Sequence, residues 1–115
     1  MKRFLAKLIF NINIDNGNHT SQFDEQIRLI ESNDLESAFH KARYLGKQEE
    51  ETFINREHKL VHWKFIDVAE LYPLENIKDG EQVYSLTHEK EDVNSFIDFV
   101  RTKSMVIQAK TLTFA

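Results

Sequence analysis

The chain contains no cysteine, a single proline and three glycines in 115 residues. Without thiols there are no disulfides, no thiolate metal ligands and no cysteine nucleophile, and nothing points to an oxidising compartment. Gly17, Gly46 and Gly80 stand apart from one another, so no glycine-rich loop is present to cradle a phosphate. The serines lack the context of a nucleophile elbow. No apolar run approaches the ~20 residues that a membrane-spanning helix requires. The opening MKRFLAKLIFNINI has the basic start of a signal peptide, but Lys7 interrupts it, its apolar residues alternate, and no small-residue cleavage site follows. A cytoplasmic location is the expectation left by elimination. An excess of positive charge is also missing, since 19 acidic against 15 basic residues give a net charge of -4. That balance opposes broad attraction to nucleic acid or to anionic membranes. Lys2, Arg3 and Lys7 at one end, and Arg101, Lys103 and Lys110 at the other, read as solvated surface.

What is present suits one ordinary globule. A mass of 13.6 kDa, 41% hydrophobic residues and nine phenylalanines supply one core, and residues 1–115 read as a single globular domain. In the first segment Phe4, Ala6, Leu8, Phe10, Ile12 and Ile14 recur at every second position, the mark of a strand with one buried face. Asn16-Gly17, within DNGNHTS, supplies a turn into a second strand, SQFDEQIRLIE. There the alternation assigns Phe23, Ile27 and Leu29 to the buried face and Gln22, Asp24, Gln26 and Arg28 to the outer one. Glu25 falls in the apolar phase.

After Glu31 the period lengthens. Ser32, Asn33 or Asp34 can cap a helix whose apolar stripe is Leu35, Ala38, Phe39, Ala42 and Leu45, with Gly46 placed to end it in a left-handed cap. The acidic KQEEE follows as a charged connection. TFIN and LVHWKFIDVAELY read as a hairpin; Val61, Trp63, Phe65, Ala69 and Leu71 share a face, into which Asp67 intrudes. Pro73 stops this strand. A shorter strand, QVYSLTH, a second amphipathic helix over KEDVNSFIDFVRTK and a final strand, SMVIQAKTLTFA, complete the chain, with Phe114 requiring a docking place. The expected architecture is α+β, a mainly antiparallel sheet with two helices packed on one face, in the order β-β-α-β-β-β-α-β.

FLAKLIF, QFDEQIRLIES, AFHKARYLG, EEETFIN and VHWKFIDVAELYPL follow one another in that order between residues 4 and 74. In these segments the sequence resembles a small bacterial family, domain of unknown function 4288. The resemblance implies no activity, substrate or cofactor, and no catalytic residue is carried over from it.

The residues themselves offer a few chemical candidates. Glu25 and Asp67 both occupy core-facing positions, where an ionised carboxylate is costly unless paired. On adjacent strands they can share a proton as an acid-base pair. The structural alternative is a β-bulge that turns them outward, or pairing with Arg28, Arg43 or a backbone N–H. His58 and His62 are four residues apart, about 13 Å along a strand and too far to share a zinc ion; no metal or cofactor is expected. Gln22, Asp24, Gln26, Arg28 and His62 are the candidate ligand or partner surface. Trp63 and Phe65 can stack on a ligand, but share the phase of core residues. The leading expectation is a non-catalytic protein-interaction module that binds a protein partner or self-associates. A small-ligand binder or enzyme using Glu25 and Asp67 is the alternative, and a charge-driven antagonist of a basic partner the third.

Overall fold

The structure, a computed structural model, describes residues 1–15 and 20–114, and side chains as far as residue 112. The Asn16-Gly17 turn and the side chain of Phe114 lie outside the described residues. The elements are β1 (Lys2–Ile14), β2 (Gln22–Ser32), α1 (Leu35–Gln48), β3 (Glu51–Ile54), β4 (Leu60–Leu74) and α2 (Val93–Phe114). All strand pairings are antiparallel and the sheet runs β2-β1-β4-β3. The fold class is α+β. The chain divides into residues 1–83, which hold the sheet and α1, and the residues from 84 onward, which hold α2.

In the first unit the even positions of β1 form the floor of the core. Phe4, Ala6, Leu8 and Phe10 are buried with Ile30, Ala38, Ala42 and Phe65, and Leu45, Trp63, Val68 and Leu71 pack around them. Fully burying Phe10, Leu8 and Ile30 contributes about 1.5–3 kcal/mol each. Asp34 caps α1, its Oδ1 accepting the Ser37 N–H at 2.7 Å. The backbone and side-chain hydrogen bonds from Ser37 hold the Asp34 carboxyl below its ordinary range.

The helix buries Ala38, Ala42 and Gly46, a line of small residues at intervals of four that faces the sheet. Gly46 is not the cap that its position suggests. The helix runs past it to Gln48, and Glu49 forms the C-cap in ordinary right-handed geometry. Glycine is required here for closeness, because a Cβ would overlap the Phe65 ring.

Two register shifts in the β1–β4 pairing, between Lys7 and Leu8 and between Ile9 and Phe10, give β4 one extra residue each. They restore the alternation, so Phe65 opposite Phe10 and Leu71 opposite Ala6 face the same side. Between them Val68 packs on the core while Ala69 is exposed. Pro73 pairs with Phe4, one residue before β4 ends.

Two expected strands are absent. QVYSLTH has no regular structure, and none of its residues enters a strand ladder. SMVIQAKTLTFA continues α2, whose start is capped by Asp92 accepting from Ser95 N–H and Oγ. No glycine or proline interrupts it after Lys103, and a helix pairs its own backbone groups where a lone terminal strand cannot.

Candidate functional site

Glu25 and Asp67 both lie opposite Ile9 in register, one from β2 and one from β4, with β1 between them. Their side chains go to different partners. Glu25 Oε1 is 3.3 Å from Lys7 Nζ, which also lies 3.6 Å from Glu70 Oε2. Lys7 sits at an odd position of β1, on the face opposite α1, and is only 16% exposed, whereas Glu25 is 59% exposed. Asp67 leaves the strand alternation at the bulge and reaches α1, where Arg43 Nε and Nη2 each donate to its carboxylate at 3.0 Å. Val68 N–H donates to the same carboxylate at 2.7 Å. Arg43, and then the Val68 N–H, hold the Asp67 carboxyl below its ordinary range. The two acids are thus committed separately and form no proton-sharing pair. The cation between Glu25 and Glu70 was the missing member, and its signal was Lys7 itself, the one charge within the first apolar alternation.

The faces of β2 are the reverse of the sequence expectation. Pairing with β1 places Ile30 opposite Phe4, Arg28 opposite Ala6, Gln26 opposite Leu8, Asp24 opposite Phe10 and Gln22 opposite Ile12, so all five lie on the α1 side. There they form a polar chain. Gln26 Nε2 donates to Asp24 at 2.6 Å, Arg28 Nε and Nη2 donate to Gln26 Oε1 at 3.0 and 2.6 Å, and Arg28 Nη1 reaches Glu49 Oε1 at 3.4 Å. His62, grouped with them by sequence, points to the other face, with Nδ1 3.0 Å from Thr52 Oγ1.

The apolar residues of β2 consequently face away from α1. Phe23 is 62% exposed, Ile27 48% and Leu29 56%; on β4 Ile66 is 52% and Tyr72 37% exposed. With Leu5 and Ile9 of β1 they make one apolar face, uncovered by α1, around the Lys7 ion pairs. Sequence reasoning missed this surface because it equated apolar with buried. The face carries Arg3, Lys7 and Lys64 against Glu25, Glu31 and Glu70, which balance to zero while the whole chain is at -4.

A cleft of about 710 Å³ lies at the other end of the covered side, between the start of α1 and the end of β4. It includes Lys2, Arg3 and Asp34 but none of the sequence-predicted candidates. No cluster of three potential metal ligands occurs among the described residues, and no described helix is long and apolar enough to cross a membrane.

No curated protein and no solved structure is similar enough to match. A family model does match, over residues 3–85, which contain the sheet except Lys2, all of α1 and every side chain of the open face. It is described as Domain of unknown function (DUF4288), and the chain belongs to that family.

Proposed function

We propose that the protein is a small, cytoplasmic, non-catalytic interaction module whose open sheet face binds a second copy of itself. The observation that carries this reading is the exposure of Phe23, Ile27, Leu29 and Ile66 on one continuous face. Antiparallel sheets with one free side ordinarily turn polar residues to water, and contiguous apolar patches of this kind mark association surfaces.

Two features favour a second copy over a charged partner. The face is neutral in sum, so copies approaching through it escape the repulsion of a chain at -4. Its extent is also sufficient. Its four strands, from the 15-residue β4 to the four-residue β3, outline roughly 700 Å², close to the ~800 Å² that each partner contributes to a standard stable interface.

Sedimentation equilibrium over a micromolar to millimolar range tests the reading. The expected result is a shift from 13.6 kDa to twice that mass, abolished by Ile27→Glu with the circular dichroism spectrum unchanged. A chain that stays monomeric throughout, or an Ile27→Glu variant that associates as before, overturns it.

A further inference from the structure

On the side of the sheet that carries α1, the helix stops short and leaves a cleft. Helix α1 has 14 residues, about 21 Å at 1.5 Å per residue, while β1 has 13, about 43 Å at 3.3 Å per residue. Past the helix end lies a cleft of about 250 Å³ lined by Phe10, Gln26, Glu49, Glu51, Phe53 and Trp63. These residues come from all four strands and the C-cap of α1. Glu51 is opposite Trp63 and Phe53 is opposite Val61 in the β3–β4 register, which places the aromatic and acidic side chains on one side of the sheet.

The chemistry of the lining is one-sided. It offers the accessible rings of Phe53 and Trp63 and two carboxylates, and no cation lines it. The fully buried Phe10 ring packs behind Trp63, 6.1 Å away and tilted by 53°, and so supports the half-buried indole that lines the cleft. Glu49 is shared with Arg28 at 3.4 Å, whereas Glu51 pairs with no cation among the described residues. The C-terminal end of α1, the negative end of its dipole, meets the cleft at Glu49. Gln26 is held by Asp24 and Arg28 and forms a fixed wall. Aromatic faces combined with carboxylates in a small cleft recognise alkylated ammonium groups, whose methyls fill the space while their charge meets the rings. The volume lies below that of a drug-sized pocket and suits a head group of a few heavy atoms.

We propose that this cleft binds the trimethylammonium group of a small molecule, held against Trp63 and Phe53 with Glu51 as counter-charge. The acidic run Glu49–Glu51 thereby has a ligand-facing role that its sequence did not indicate. The cleft lies on the side opposite the proposed self-association face, so neither reading depends on the other.

Trp63 is the only tryptophan, and its fluorescence therefore reports directly on the cleft. The full chain is titrated with choline, with Nε-trimethyllysine and with 3,3-dimethylbutanol, the neutral carbon analogue of choline, at ionic strength held constant with potassium chloride. The expected result is a saturable change in the millimolar range for at least one of the two cations. The neutral analogue should bind about tenfold more weakly, the difference that a cation at aromatic faces makes. A saturable response to either cation supports the proposal, and the tighter of the two names the source of the group. Glu51→Gln, at an exposed side chain, should weaken binding several-fold with the circular dichroism spectrum retained. Equal response to the neutral analogue, no saturation by 100 mM of either cation, or unchanged affinity in a folded Glu51→Gln variant overturns it.

Discussion

The two sides of this sheet use the same residue types in opposite ways. Toward α1, β1 presents Phe4, Ala6, Leu8 and Phe10 to a closed core, yet β2 contributes Asp24, Gln26 and Arg28 to that side as a hydrogen-bonded chain. Away from α1, β2 presents Phe23, Ile27 and Leu29 to solvent, around the half-buried Lys7 with its two carboxylates. Polarity therefore does not sort the two sides; coverage does. Where α1 lies close, apolar side chains stabilise the fold, and where nothing of α1 lies, similar side chains stand exposed.

The sharpest way to break that contrast is to truncate a phenylalanine on each side. Phe10, fully buried, is expected to cost about 3–5 kcal/mol as Phe10→Ala in urea unfolding. Phe23→Ala is expected to cost less than about 1 kcal/mol under dilute conditions. Comparable losses at the two positions would show that the open face belongs to the folding core.

Next in size is Gly46→Ala. In a free helix this change adds about 0.5–1 kcal/mol of stability, but here the new Cβ meets the Phe65 ring. A net loss of about 1–3 kcal/mol is expected, part of it recovered in a Phe65→Leu background as measured by a double-mutant cycle. A stabilised Gly46→Ala variant would mean that α1 stands off the sheet.

On the open side, Lys7→Met removes the cation between Glu25 and Glu70 while conserving most of the side-chain volume. Glu70 Oε2 is shielded from solvent and accepts no hydrogen bond, so the loss should amount to about 1–3 kcal/mol. Adding Glu70→Gln should restore part of it. A neutral Lys7→Met would reduce the ion pairs to surface decoration.

The smallest effect concerns Asp67. Its folded pKa is lowered by Arg43 and the Val68 N–H. The stability it contributes is therefore present above the unfolded-state value, about 3.9, and disappears as pH falls through the folded value. Because the side chain is 46% exposed, the amount is about 0.2–1 kcal/mol. Asp67→Asn should lower stability by that much at neutral pH and flatten the acid limb of a pH-dependent unfolding series. An acid limb of unchanged slope would place that linkage on other carboxylates.

The sequence made β1, α1 and the β3–β4 hairpin legible because their periodicities are long and capped, as at Asp34. It misled at β2, where Phe23, Ile27 and Leu29 outvote Ile30 by number, yet Ile30 is the residue that meets the core at 2% exposure. Which side a strand buries is decided by its neighbours and by where the helix lands, and neither is contained in one strand's alternation. The second half of α2, expected as a strand, is helical because the β-branched and apolar residues around Val106 and Ile107 suit both states. Of the candidate site, the two carboxylates were visible as anomalies, and Arg43 and a backbone N–H were among the partners offered for Asp67, but Lys7 as the partner of Glu25 depended on which side β2 turns. The cleft beside Phe53 and Trp63 was hidden because residues in a core phase look alike whether or not a helix reaches far enough to cover them.

The paired bulges of β4 act as two frameshifts that cancel. Read from either end, the strand keeps the correct frame, which is why its alternation looks unbroken through Asp67 in one dimension. Only in the short window between the two insertions is the frame shifted, and within that window a carboxylate can leave the sheet to moor the helix without disturbing the rest of the strand.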